Sequence, residues 1–316
     1  MLQLLRKKKF ILYLLCIVGI GLFARSTWKL SPFSFHGSGP CACSTCLAEG
    51  DLRFRERMTA CPQPFLTNNL TVTEETFNWW KRMQSRRPNF TLFKSALESV
   101  FDVVPHIPNV TVLEPRPDRC RSCAVVGNSG NLLGSHYGPL IDFHDIVIRI
   151  NRGPTKGYEA DVGTRTTHRV MYPESAVPLD NNTHFMMFPF KRSDFQWLIN
   201  RLMPGENGKR KAIANKDLVT ILNPAFMKYV HETWLLKKGA YPSTGFLTVA
   251  LSLKICDEVN VFGFGADTDG NWNHYFNIFK DKHFKTGGHP GDFEYGVIEQ
   301  LHDWKVITFF KGWERR

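Results

Sequence analysis

From Cys123 onward, short apolar runs alternate with segments that carry helix signals. Runs at residues 124–127, 145–150, 168–172, 184–188, 218–222, 258–264 and 305–310 have the length and composition of strands. The clearest helix between them starts with Asn223 as N-cap and Pro224 in its first turn, and its pattern continues to about Gly239. Another follows Pro242-Ser243-Thr244-Gly245 and runs to Cys256. Such alternation predicts an α/β fold with a mainly parallel sheet. Residues 41–123 read instead as helices and loops. Stretches 73–84, with the Trp79-Trp80 pair, and 91–101 are helix candidates, while Pro105, Pro108, Pro115 and Pro117 make 105–119 a loop.

The first 40 residues have a different pattern. Residues 10–24 are uncharged and mostly apolar, with Arg6, Lys7, Lys8 and Lys9 before them and Arg25 after. At about 1.5 Å per residue such a run is shorter than a bilayer core of roughly 30 Å, a gap that thin membranes and snorkelling basic side chains can close. No A-x-A site follows, although Gly19-Ile20-Gly21 is a possible small-residue cleavage site. We therefore expect an uncleaved signal anchor at 10–24, a cytosolic tail at 1–9, a short stem at 25–40 and a luminal domain at 41–316.

Charge and cysteines fit that layout. Lys and Arg number 40 against 29 Asp and Glu, a net +11 that invites a nucleic-acid reading. Six of the basic residues and none of the acidic ones lie in residues 1–30, which leaves +5 for the remainder. That excess suits an anionic substrate and is weak support for a polyanion partner, so no nucleic-acid partner is expected. A hydrophobic content of 43% excludes a wholly disordered chain. Seven cysteines follow the apolar run, at 41, 43, 46, 61, 120, 123 and 256. In the cytosol their spacings would suggest zinc; in an oxidising lumen disulfides are the better reading, with one cysteine left over and the connectivity open. Asn69, Asn89, Asn109 and Asn181 head N-x-S/T sequons, which are glycan acceptors in such a compartment.

Three turns carry the residues that ligand sites in open α/β sheets need. Gly127-Asn128-Ser129-Gly130-Asn131 leaves a strand, its glycines allowing close approach and its amides able to read a base or ribose. Tyr241-Pro242-Ser243-Thr244-Gly245 opens a helix, where hydroxyls and free N–H groups suit a phosphate or simply cap the helix. Gly263-Phe264-Gly265-Ala266 ends a strand and runs into Asp267-Thr268-Asp269, a D-x-D pattern able to hold a divalent cation and a nucleotide diphosphate. His274 and His289, the latter in a glycine-rich loop, are candidate acid–base residues.

Together these segments resemble the animal sialyltransferases. The stretch 123–131 with Ile148-Arg149-Ile150-Asn151 is similar to the large motif of that family. Pro224-Ala225-Phe226, residues 241–245, Cys256-Asp257-Glu258-Val259 and residues 263–267 are similar to the small motif. His274-Tyr275-Phe276 resembles the third motif, and His289 with Glu294 the very small one. Residues 41–46, 172–175 and 223–229 look like the β-galactoside α-2,3 subgroup that acts on Galβ1-3GalNAc. The resemblance implies a Rossmann-like, GT-A-like sheet in a single Golgi luminal domain, a CMP-sialic acid donor, inversion at the anomeric carbon and no metal or other cofactor. His289 would be the base, and His274, Ser243, Thr244 and Gly245 would hold the phosphate. Asn128, Asn151, Tyr172 and Gly265 would meet CMP, and Tyr241 and Gln84 the acceptor sugar. Glu294 would orient a neighbouring loop, with no chemical role. The implied disulfides are Cys41–Cys46, Cys43–Cys120 and Cys123–Cys256. Asn277 stands where relatives carry an acidic residue or Gln, and Asn273 where many have His, so neither position carries charge here. The rival readings are a metal-dependent transferase using Asp267 and Asp269, and a glycan-binding relative without activity.

Overall fold

The computed structural model describes residues 39–85, 87–104, 114–203, 211–266, 270–277 and 287–312. Seven strands build one sheet: β1 (Ser122–Val126), β2 (Ile146–Ile150), β3 (His168–Met171), β4 (His184–Met187), β5 (Val219–Ile221), β6 (Glu258–Phe262) and β7 (Thr308–Phe310). Their order is β5-β4-β3-β2-β1-β6-β7, and all six pairings are parallel. Six of the strands lie within runs that the sequence marks as strands; β1 overlaps its run but begins two residues earlier, at Ser122. The apolar residues are nearly continuous because both faces of a parallel sheet are covered.

Nine α-helices frame the sheet: α1 (Leu52–Thr59), α2 (Glu74–Trp80), α3 (Phe90–Phe101), α4 (Gly138–Phe143), α5 (Glu159–Val162), α6 (Arg192–Leu202), α7 (Pro224–Tyr229), α8 (Thr244–Ile255) and α9 (Gly291–Asp303), counted among the described residues. Side chains set the starts of several. Thr73 accepts from the Thr76 N–H, Asn89 from Leu92, Asn223 from Ala225 and Ser243 from Phe246. One face of the sheet carries Val125, Ile148 and Val170 against α8 and a large core that includes Trp80, Phe93 and Phe195. The other carries Ala124, Val126, Val147 and Phe262 beneath a smaller layer with Leu132, Ile141, Val162 and Tyr275.

Two elements end where the sequence pattern does not. The helix expected to reach Gly239 stops at Tyr229 and widens into a π-turn over Val230–Trp234, closed by a bond from Leu235 N–H to Val230 O. The wider turn buries both His231 and Trp234; the Trp234 indole donates to Tyr229 Oη at 3.1 Å, and that hydroxyl donates to Arg57 O. The last strand was expected from residue 305. Lys305 instead adopts φ 58° in the turn that closes α9, with bonds from Lys305 N–H to His302 O and from Val306 N–H to Leu301 O. The strand therefore begins only at Thr308.

Three disulfides join Cys41 to Cys46, Cys43 to Cys120 and Cys123 to Cys256. The last ties the start of β1 to the residue after α8. Beside it the buried Asp257 pairs with Arg121 at 3.0 Å and Arg119 at 3.7 Å. Cys61 is a free thiol, half-buried, and burial pushes its pKa up to about 11. Among the described residues, Cys43, Cys120 and Glu258 form the one group spaced as metal ligands, and its cysteines are spent in a disulfide. Asn69 and Asn181 are exposed and Asn89 caps α3; Asn109 lies outside the described residues. So does the expected anchor, and no described helix is long and apolar enough to cross a membrane.

The Cys123–Cys256 bridge closes a loop of 133 residues. Cys256→Ser should lower stability by roughly 3–5 kcal/mol, read as a fall in melting temperature under non-reducing conditions. An unchanged melting temperature would show that the bridge does not hold β1 to α8.

Candidate active site

At the carboxyl edge of β1, β2, β3 and β6 the loops leave a cleft of about 350 Å³. This is where strand order reverses about β1 and a crevice is expected. The turns after β1 and β6 meet along it. A Cβ on Gly127 would lie 2.2 Å from Gly263 O, so no side chain fits there. Gly127 N–H bonds to Phe262 O, and Ser129 N–H to Gly263 O at 2.9 Å. Gly265, at φ 95°, lies against the Tyr295 ring, which leaves no room for a side chain. The segment carrying His274 is laced onto the first turn by bonds from Gly130 N–H to Asn273 O and from Tyr275 N–H to Asn128 O.

Asn128, Asn151, Tyr172, Ser243, Thr244, Gly245, Gly265, His274 and His289 all line this one cleft. Asn128 donates from its NH₂ to Ile150 O at 3.1 Å, which turns its carbonyl to accept. Asn151 is oriented the opposite way. Its Oδ1 accepts from Ser175 Oγ at 2.8 Å, which leaves its NH₂ to donate. The pair thus presents one acceptor and one donor, a match for a heterocyclic base or ribose.

Ser243 follows the capping reading that the sequence leaves open. Its N–H donates to Glu294 Oε1 at 2.7 Å, and its hydroxyl donates to Oε2 at 2.5 Å while accepting from Phe246 N–H. The hydroxyl is therefore committed to the helix cap and to Glu294. The N–H groups of Thr244 and Gly245, in the first turn of α8, make no bond among the described residues and remain for an anion. Glu294 is buried, and burial pushes its carboxyl up to about 7.

Burial lowers the pKa of both His289 and His274, which favours neutral imidazoles. His289 precedes α9 and meets Tyr241 edge-on at 5.9 Å between ring centroids; His274 stacks on Phe276 at 5.1 Å. Tyr241 touches the cleft through His289 without lining it. Gln84 does not line it either. Its Oε1 accepts from Arg192 N–H at 3.0 Å, two residues beyond Phe190, whose ring contacts Tyr172 and Tyr241. Asp267 and Asp269 lie outside the described residues. Phe264, within the turn after β6, also lines the cleft, as do Trp272 and Tyr295, to which the sequence gives no role. An aromatic two residues before His274 in a Gly-Asn turn was the available signal for Trp272.

The model of glycosyltransferase family 29 (sialyltransferase) matches residues 65–306. The chain belongs to this family. It is 44% identical over 308 residues to the CMP-N-acetylneuraminate-beta-galactosamide-alpha-2,3-sialyltransferase 1 of Gallus gallus, covering 93% of this chain and 87% of that one. The type 2 enzyme of Mus musculus is 40% identical over 285 residues, covering 86% and 80%. A crystal structure of a mammalian sialyltransferase superposes with a TM-score of 0.76 at 43% identity, covering 87% of this chain and all of that one. Another, in complex with Gal-beta-1-3GalNAc-ortho-nitrophenol, gives 0.75 at 42%, with the same coverage. The chain is thus a sialyltransferase-family protein with an all-parallel seven-stranded sheet.

The raised Glu294 pKa has a thermodynamic sign. Between about pH 4.5, its ordinary value, and about 7 the folded state holds a proton that the unfolded state has released. Stability contributed by this group is complete below that window and is lost as pH rises through it. Glu294→Gln should flatten the dependence of melting temperature on pH across the window, and an unchanged slope would count against this account.

Proposed function

We propose that this protein transfers sialic acid from CMP-N-acetylneuraminate to the 3-hydroxyl of terminal galactose in Galβ1-3GalNAc glycans, with inversion and without a metal. The observation that carries the proposal is the convergence, in one cleft, of a half-buried histidine whose pKa burial lowers, a helix N-terminus with two uncommitted N–H groups and an oppositely oriented asparagine pair.

The reaction is a single displacement. The galactose O3 attacks the anomeric carbon of sialic acid as the bond to the CMP phosphate oxygen breaks. His289 takes the O3 proton, a task suited to an imidazole that burial keeps neutral. Negative charge grows on the departing phosphate, where the N–H groups of Thr244 and Gly245 and the His274 ring stabilise it. Asn128 and Asn151 hold the cytidine, with Tyr172 beside them. Tyr241 and Gln84, on the side of Phe190, are placed for the acceptor sugar. Glu294 is the one carboxylate among the described residues of the cleft, and both its oxygens are engaged by Ser243.

The same reading places the protein in the Golgi membrane as a single-pass type II chain. Its support is the apolar run at 10–24 behind a basic cluster and the three disulfides beyond it.

The test supplies CMP-sialic acid and a Galβ1-3GalNAc acceptor, with and without EDTA, and determines the product linkage. An α-2,3 product in EDTA is expected; product formed only without EDTA would overturn the metal-free mechanism. His289→Ala should fold normally and lose at least ~10²-fold in turnover. A folded His289→Ala protein with wild-type turnover would remove this histidine from the role. The acid limb of the rate profile should fall as His289 takes up a proton, and the lowered pKa moves that limb to lower pH.

A further inference from the structure

Arg149 on β2 and Arg169 on β3 pair in register, so their side chains lie on one face of the sheet. Arg149 is 1% exposed and Arg169 8%. Neither has a carboxylate within ion-pair distance among the described residues. A guanidinium buried this way needs hydrogen bonds to offset its lost hydration.

The two spend their donors differently. Arg149 bonds to Val162 O, Arg165 O and Thr166 Oγ1, and so fixes the connection between α5 and β3. Arg169 turns to the cleft wall. Its Nη1 donates to Asn151 O at 2.8 Å and to Gly153 O at 3.2 Å. Asn151, in the turn it grips, sits at φ 55°, a left-handed conformation that few residues other than glycine take and that Asn takes more readily than most. Tyr275 Oη donates to Pro154 O at 2.7 Å from the same side.

We infer that Arg169 is a positioning residue for the nucleotide donor: it fixes the left-handed turn at Asn151 so that the Asn151 amide, already oriented by Ser175, faces CMP. A neutral donor would satisfy the same two carbonyls. The charge of Arg169, with no carboxylate at ion-pair distance among the described residues, adds a field that favours an anionic donor in the cleft. This inference rests on the donor assigned above.

Calorimetric binding of CMP separates the possibilities. Arg169→Met removes both hydrogen bonds and the charge, and should weaken CMP about tenfold while the acceptor KM stays within about twofold. Arg169→Lys, which keeps the charge and one donor, should recover most of that loss and leave CMP two- to threefold weaker than wild type, by order of magnitude. In an Asn151→Ala background, Arg169→Met should cost less than about a further twofold, because the residue acts through Asn151. A cooperatively melting Arg169→Met protein with wild-type CMP affinity would overturn the inference. So would a tenfold loss that persists undiminished in the Asn151→Ala background. If Arg169→Met does not fold, Arg169→Lys carries the test: donor KM must rise with acceptor KM fixed, and equal changes in both, or none, overturn it. A wild-type protein that does not bind CMP would instead overturn the donor assignment beneath it.

Discussion

The turns after β1 and β6 are pressed together so closely that neither Gly127 nor Gly263 has room for a Cβ. Several of the groups that line the cleft are keyed to that contact. It sets where Asn128 and Ser129 leave β1 and where Gly265 passes Tyr295. Through the bonds to Gly130 and Asn128 it also sets where His274 sits. Parallel pairing makes the arrangement possible, because all seven strands deliver their carboxyl ends to one edge.

A second coupling crosses this edge. Glu294, in α9, receives both donors of Ser243, and Ser243 caps α8. The segment carrying the candidate base and the helix facing the phosphate are thereby joined through one carboxylate. Relative movement of α8 and α9 would strand a buried acid, at a desolvation cost that discourages it. On the proposed mechanism, the spacing between His289 and the first turn of α8 then depends on how α8 and α9 are held together.

Much of the fold was legible because a parallel strand buried on both faces reads as an unbroken apolar run, as residues 123–126 do. Element ends were less legible. The π-turn after Tyr229 depends on where Trp234 and His231 find partners, and the left-handed Lys305 depends on how α9 closes. The polar residues of the site were legible as motifs, since Asn128, Asn151, Thr244, His274 and His289 come from five separate segments that the sheet edge collects. What escaped was pairwise. Glu294 and Ser243 are 51 residues apart, and their spacing says nothing about which atoms meet. Arg169 sits in a strand pattern that gives no sign of its hydrogen bonds to the turn after β2. Ser243 looked like a phosphate ligand because a capping hydroxyl and a ligand hydroxyl have the same sequence context.

Cys61 bears on how the molecule keeps its own covalent pattern. With its pKa near 11, only about one thiol in ten thousand is ionised at neutral pH, so in the folded protein it is a poor attacker of the three bridges. In the unfolded chain that protection is gone, and the same sulfur exchanges as readily as any exposed thiol. Native packing therefore acts as a latch: correct pairing silences the seventh cysteine, while a mispaired chain keeps an internal reagent for breaking its own wrong bonds.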